Sequence, residues 1–188
     1  MPSLHFSYPI IKRRADLLLS LILLVLLSPI ILFTALVVYL AMGHPVIFSQ
    51  VRPGKSEKLF LLYKFRTMTL PRDTNCHSHD DAFRLTKVGR LLRTTSLDEL
   101  PSLLNVLRGD ISFVGPRPLL VQYLGLYSPE EKRRHDVMPG LSGWAQVNGR
   151  NAISWKEKFR LDIWYVDHQS FWLDVRILFL TIWKVIKR

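Results

Sequence analysis

The sequence predicts an α+β protein: a mainly helical cytosolic domain with a small β-hairpin or sheet, an N-terminal re-entrant helix-break-helix in the membrane, and amphipathic interfacial helices. Three observations predict it. Leu17 to Gly43 is an apolar run with no ionisable side chain apart from Tyr39. Helical periodicity governs most of the chain beyond that run, and one pair of short β-prone stretches flanks a Pro-Gly turn. The division is then direct, with residues 1–43 as the membrane segment and 44–188 as the cytosolic-face domain that carries the interfacial helices.

A length of 188 residues suits one domain with its own core, and no second globular domain is expected. Lys and Arg outnumber Asp and Glu by 26 to 15, a net charge of +11. The partners should therefore be anionic, whether lipid headgroups, nucleotide diphosphates or nucleic acid. Cys76 is the single cysteine. It permits neither an internal disulfide nor a cysteine zinc site, which suits a reducing cytosolic face.

The apolar run exceeds the ~20 residues that a bilayer-spanning helix needs, and no signal-peptide cleavage site comes after it. Ser28-Pro29 lies near its middle. Proline there removes the donor to the Val25 carbonyl and kinks the helix, and the Ser28 hydroxyl can satisfy the freed oxygen. Lys12, Arg13 and Arg14 precede the run, while Arg52, Lys55, Lys58, Lys64 and Arg66 come after it. Basic flanks favour the cytoplasm, so both ends should stay on one face, and a segment that dips in and returns is preferred over a straight span kinked at Pro29.

Val46 to Gln50 and Leu59 to Arg66 form a hairpin around Arg52-Pro53-Gly54-Lys55, with Lys64 and Arg66 pointing the same way. Leu70 to Asp81 lacks apolar periodicity and reads as a surface loop, in which His77 and His79 are a weak metal signal. Ala82 to Arg93 is a basic amphipathic helix. Its basic face either is solvated over a core or lies on anionic headgroups with Arg93 turned toward the site.

Pro101 is tolerated only in a first helical turn and Gly109 makes a natural stop, so a helix should run from Glu99 to Arg108 with Asp98 as N-cap. The positive helix start and Arg93 would keep Asp98 ionised, as a carboxylate nucleophile or a Mg²⁺ ligand requires. Glu99 is the second carboxylate, for metal binding or proton handling. Ile111 to Val114 is a short buried strand. In Gly115-Pro116-Arg117-Pro118 two prolines stiffen the backbone around a guanidinium able to grip phosphate.

Ser128-Pro129-Glu130-Glu131 opens a helix over Pro129 to Val137 that looks structural. Leu141 to Asn151 mixes glycines, Trp144 and amides as a loop shaped around a ligand. Ser154 to Glu157 opens a helix carrying Asp162 and Asp167. Phe171 to Arg188 is an apolar, Trp-bearing helix with a cationic tip, as interfacial helices are.

Lys64-Phe65-Arg66-Thr67-Met68, Ser96-Leu97-Asp98-Glu99-Leu100-Pro101, Asn105-Val106-Leu107, Gly115-Pro116-Arg117-Pro118 and Gly143-Trp144-Ala145-Gln146-Val147-Asn148-Gly149-Arg150 occur in order. In these motifs and the Ser28-Pro29 break the chain resembles the small monotopic phosphoglycosyl transferases, or bacterial sugar transferases. It looks like a minimal member without extra transmembrane helices or an upstream domain. It is most similar to the transferases of bacterial N-linked glycosylation that use UDP-N,N'-diacetylbacillosamine. Ser102 and Met138 depart from the residues common in that family.

The resemblance implies a two-step reaction. Asp98 attacks the β-phosphate of a UDP-sugar and releases UMP, and undecaprenyl phosphate then takes the sugar phosphate, with Glu99 assisting. It further implies Mg²⁺ held by Asp98 and Glu99, and substrate contacts from Lys64, Arg66, Arg93, Arg117, Gln146, Asn148 and Arg150. The place is the cytoplasmic face of the bacterial inner membrane, among phospholipids and without nucleic acid. UDP-N-acetylglucosamine and UDP-galactose are the alternative donors. A non-enzymatic basic membrane anchor is the rival from another class, and it predicts that Asp98→Asn leaves function intact.

Overall fold

The computed structural model describes residues 4–70, 84–149 and 152–187. Helix α1 (Leu4–Leu26) and helix α2 (Ser28–Met42) meet at a break bent by 63°. Pro29 cannot donate to the Val25 carbonyl, and Ser28 Oγ donates to it instead at 2.8 Å. Among the described residues no single helix is long and apolar enough to cross a membrane, whereas the bent pair taken together meets that test, by length and composition alone.

One side of this pair belongs to the core. Leu23, Leu24 and Leu27 pack against the buried cluster that includes Leu62, Val106, Ile111 and Val114, while Ile31 and Ala35 pack against the cluster of Val38, Phe65 and Leu92. The other side presents Leu18, Val25, Leu26, Leu32, Phe33 and Leu40, each at least 65% exposed. The basic flank ahead of the run is largely consumed inside the protein. Lys12 pairs with Asp174 in a buried contact, and Arg13 donates to the Val106 and Leu107 carbonyls at 2.6 and 2.9 Å. Arg14 alone of the three is exposed.

Strands β1 (Ile47–Pro53) and β2 (Leu59–Phe65) pair antiparallel, with Gln50 opposite Leu62. The hairpin is as expected, but β1 continues through Pro53 and the turn lies at Gly54–Lys58, where Gly54 N–H bonds the Lys58 carbonyl at 2.8 Å. The far edge of β2 is closed by side chains. Asn105 accepts from Tyr63 N–H at 3.0 Å and donates to the Leu61 carbonyl at 2.7 Å, and Ser102 Oγ donates to the Tyr63 carbonyl at 2.6 Å. An edge left open would carry unpaired buried groups, so these two residues stand in for a third strand. That is the role of Ser102, one of the two departures.

Several predicted boundaries move. Residues 71–83, with Cys76, His77 and His79 and the first part of the Ala82–Arg93 helix, lie outside the described residues. The helix itself is α3 (Lys87–Thr95), because Thr86 caps it through Gly89 N–H and Leu85 is bridged to Met68. The helix expected over Glu99–Arg108 splits into a 3₁₀ turn, Leu97–Ser102, and α4 (Leu103–Arg108), which ends at Gly109 with φ 89°. Asp98 therefore lies inside the 3₁₀ turn and caps nothing.

Strand β3 (Ser112–Val114) pairs parallel with β4 (Gly140–Ser142), in part of the segment predicted to be loop. The helix opened by Ser128 is only α5 (Pro129–Lys132) followed by a 3₁₀ turn, Arg133–His135. The remainder of the predicted loop contains α6 (Trp144–Asn148). Ser154 caps α7 (Trp155–His168) through Glu157 N–H, but the Glu157 carboxylate pairs with Arg160. Helix α8 (Phe171–Ile186) ends the described fold, with Trp172, Phe179, Ile182 and Trp183 each more than half exposed on its surface.

Candidate active site

The chain turns abruptly between α3 and the 3₁₀ segment because Ser96 adopts a left-handed conformation, φ 61° and ψ 15°. A non-glycine residue there is strained by roughly 1–2 kcal/mol, and such strain collects at functional turns. The turn brings Asp98 and Glu99 beneath β2 and beside the Gly115–Pro118 loop.

Glu99 Oε1 accepts from Lys64 Nζ and from Arg117 Nη2, each at 2.6 Å. Arg117 Nη1 reaches the Leu141 carbonyl at 3.4 Å. Arg93 Nε donates to Thr67 Oγ1 at 3.0 Å. Gly89 makes that approach possible, since a Cβ there would lie 1.9 Å from the Thr67 carbonyl oxygen. Asp98 is buried, only 8% exposed. These residues line one wall of a cavity of about 1340 Å³ that extends to Gln146, Trp155, Lys158 and Lys184.

The two carboxylates differ in acidity. Burial pushes the Asp98 carboxyl above its ordinary value and repulsion from Glu99 adds to this, while Lys64, Arg93 and Arg117 pull it back. Arg93 thus acts on Asp98 in the sense expected from the sequence, and burial opposes it. For Glu99, burial raises the value, but the charges of Arg117 and Lys64 and their hydrogen bonds override it and bring it to about 2. The cations respond in opposite directions. Glu99 raises Arg117, whereas burial and then Arg117 lower Lys64.

Arg66 is placed elsewhere in role. Its guanidinium donates to the carbonyls of Met42, Gly43 and His44 at the end of α2. Gln146 lines the cavity and donates to the Leu141 carbonyl at 3.2 Å. Asn148 is exposed and folds back on the Trp144 carbonyl at 2.8 Å, away from the other site residues. Arg150 lies outside the described residues.

Two residues that matter to the site were missed in the sequence. Arg134 donates to Asp162 Oδ2 at 2.7 Å, to Tyr127 Oη at 3.1 Å and to the Arg117 backbone carbonyl at 2.8 Å. It therefore braces the Gly115–Pro118 loop through the Arg117 backbone. Burial raises Asp162 while Arg134 pulls it back. Each had only an ordinary helical periodicity to show, and nothing in their spacing pairs them. The loop is also fixed by close backbone packing, since a Cβ on Gly115 would lie 2.2 Å from the Met138 carbonyl oxygen. That contact uses the Met138 backbone, which any residue at this second departure supplies.

Among the described residues no three His, Cys, Asp or Glu side chains cluster as a metal site. The donor set nonetheless fits Mg²⁺, which is commonly held by one or two carboxylates together with substrate phosphate oxygens and water. Asp98 enters none of the ion pairs among the described residues, whereas Glu99 Oε1 is occupied by two cations. Asp98 is the better ligand of the two.

The family model described as bacterial sugar transferase matches residues 7–188. The chain is 60% identical over 177 residues to the uncharacterized sugar transferase EpsL of Bacillus subtilis (strain 168), covering 94% of this chain and 88% of that one. It is 41% identical over 187 residues to the UDP-glucose:undecaprenyl-phosphate glucose-1-phosphate transferase of Escherichia coli (strain K12), covering 93% of this chain and 40% of the relative. It is 40% identical over 185 residues to the UDP-N-acetylgalactosamine-undecaprenyl-phosphate N-acetylgalactosaminephosphotransferase of Aeromonas hydrophila, covering 93% and 43%. The chain thus spans about two fifths of the length of these last two relatives.

Proposed function

The chain belongs to the bacterial sugar transferase family, and from that premise we propose that it moves a sugar 1-phosphate from a UDP-sugar to undecaprenyl phosphate, releasing UMP and starting a glycoconjugate. One observation carries the reading. A buried carboxylate in no ion pair among the described residues, Asp98, stands beside a second carboxylate that clamps Lys64 and Arg117 on the wall of a cavity large enough for a nucleotide sugar. The activities named for the Escherichia coli and Aeromonas relatives support the same reaction class.

In the first step an Asp98 oxygen attacks the β-phosphorus. The bond from that phosphorus to the oxygen bridging the α-phosphate breaks, and that oxygen leaves with UMP. Asp98 then holds the sugar phosphate as an acyl phosphate. In the second step an oxygen of undecaprenyl phosphate attacks the same phosphorus, and the Asp98 carboxylate departs unchanged. Lys64, Arg93 and Arg117 stabilise charge spreading over the phosphoryl oxygens. Glu99 fixes two of those cations in place. Mg²⁺, held through Asp98, would neutralise the diphosphate when bound.

The bent α1–α2 pair is read as re-entrant, with its exposed apolar side in the lipid and the exposed aromatics of α8 at the interface. The domain then faces the cytoplasm, where a soluble UDP-sugar and a lipid phosphate can both reach Asp98. For the donor we favour a UDP-N-acetyl amino sugar, UDP-N,N'-diacetylbacillosamine among them. The test is the intact mass of the purified protein after incubation with Mg²⁺ and UDP-sugars without lipid acceptor. A sugar-phosphate adduct on wild type and none on Asp98→Asn is the expected result. UMP release that never appears with any donor, even after undecaprenyl phosphate is added, would overturn the assignment.

A further inference from the structure

Three residues that line the cavity each carry a buried side-chain atom without a hydrogen-bond partner among the described residues: Nε of Arg52, Nε of Arg66 and Oε1 of Gln146. Gln146 Oε1 is the acceptor of the three. Its amide orientation is fixed, because the other end, Nε2, donates to the Leu141 carbonyl and a carbonyl can only accept. An acceptor withdrawn from water and left unmet is unfavourable, and it becomes favourable when a ligand brings an N–H or O–H.

The place of that oxygen indicates which part of a ligand it meets. The Leu141 carbonyl is shared between Gln146 Nε2 and Arg117 Nη1, and Arg117 Nη2 is on Glu99. Gln146 thus lies one guanidinium away from Glu99, the chain neighbour of the carboxylate, Asp98, that receives the phosphoryl group in the proposed reaction. In a sugar 1-phosphate the donor group nearest the phosphorus sits on C2, as a hydroxyl or an acetamido N–H. Gly143 leaves room for this arrangement, since a Cβ there would meet Gln146 Oε1 at 3.2 Å and the Gly115 carbonyl oxygen at 2.3 Å.

Resting on the reaction proposed above, we infer that Gln146 Oε1 is a specificity-determining acceptor for the C2 substituent of the donor sugar. The residue recognises that substituent through its N–H or O–H and does so close enough to the phosphorus to align it. A donor without a C2 hydrogen-bond donor leaves the buried oxygen unmet and reacts poorly.

The experiment measures UMP release by the full chain in lipid nanodiscs with Mg²⁺ and undecaprenyl phosphate. The best donor of a UDP-sugar panel is compared with its 2-deoxy analogue, for wild type and for Gln146→Met, a variant of similar volume. Wild type should show kcat/KM about 10- to 100-fold lower for the 2-deoxy donor. In Gln146→Met the parent donor should fall to the level of its analogue, bringing the ratio near one. A purely structural defect would lower both donors alike and preserve the wild-type ratio, which would overturn the inference. So would a wild type that accepts the 2-deoxy donor equally, a result that needs no variant. If wild type releases no UMP from any donor, the reaction itself fails and the inference with it, so the two failures are distinguishable.

Discussion

Glu99→Gln tests the electrostatic frame of the site. The substitution keeps the shape and removes the charge that draws in Lys64 and Arg117. A carboxyl brought from its ordinary 4.5 to about 2 corresponds to about 3 kcal/mol at about 1.4 kcal/mol per pH unit. The side chain is 24% exposed, and Lys64 is driven the opposite way by burial and by Arg117, so about 2 kcal/mol is the expected net loss. For a chain of 188 residues that lowers the melting temperature by about 4–8 °C.

The pH dependence has a definite sign. The folded-state value is depressed, so the contribution is fully present above the ordinary 4.5 and drains away as pH falls toward about 2. Thermal melts of both proteins in nanodiscs, monitored by tryptophan fluorescence, should therefore show a gap at pH 7 that narrows by pH 3. Equal melting temperatures at pH 7, or a gap as wide at pH 3, would refute the reasoning.

Other outcomes rest on the same geometry. Asp98→Asn should abolish UMP release and the adduct while leaving the melting temperature unchanged or slightly higher, because burial disfavours the Asp98 charge; a fall of several degrees would contradict this. Arg93 lowers the Asp98 value, so Arg93→Gln should move the acid limb of kcat/KM to higher pH, and a limb that stays in place would assign it to another group. Pro29→Leu restores a donor to the Val25 carbonyl and should straighten the α1–α2 pair, carrying an N-terminal tag to the opposite membrane face; a tag still digested from the same side as the domain would show that the bend has another cause.

The parts of the fold that sequence made legible are those set by local chemistry. Ser28-Pro29 announces its break because the missing donor and the substitute hydroxyl are adjacent in the chain. The hairpin and the Ser128 capping box are likewise contained within a few residues. Asp98, Glu99, Lys64, Arg93 and Arg117 were nameable as residues that belong together. What could not be read was how they divide the work, since Glu99 gathers Lys64 and Arg117 from sites 35 and 18 residues away. The Asn105 side chain replacing a strand and the Arg134–Asp162 pair supporting Arg117 are also long-range. The 3₁₀ turn around Asp98 hinges on Ser96 at positive φ, which no propensity for serine foretells.

Arg66 bears on how the protein relates to its bilayer. Its guanidinium holds the last carbonyls of α2, and the next residue, Thr67, holds Arg93. Between the foot of the apolar pair and Arg93 of the candidate site there is one residue step. In the proposed orientation the altitude of the chemistry above the acyl chains is therefore a constant of the molecule, like the height of a fixed stylus over its plate. Lipids of other lengths must stretch or thin around the protein, and the acceptor's phosphate must rise or sink to the one level at which it can be served.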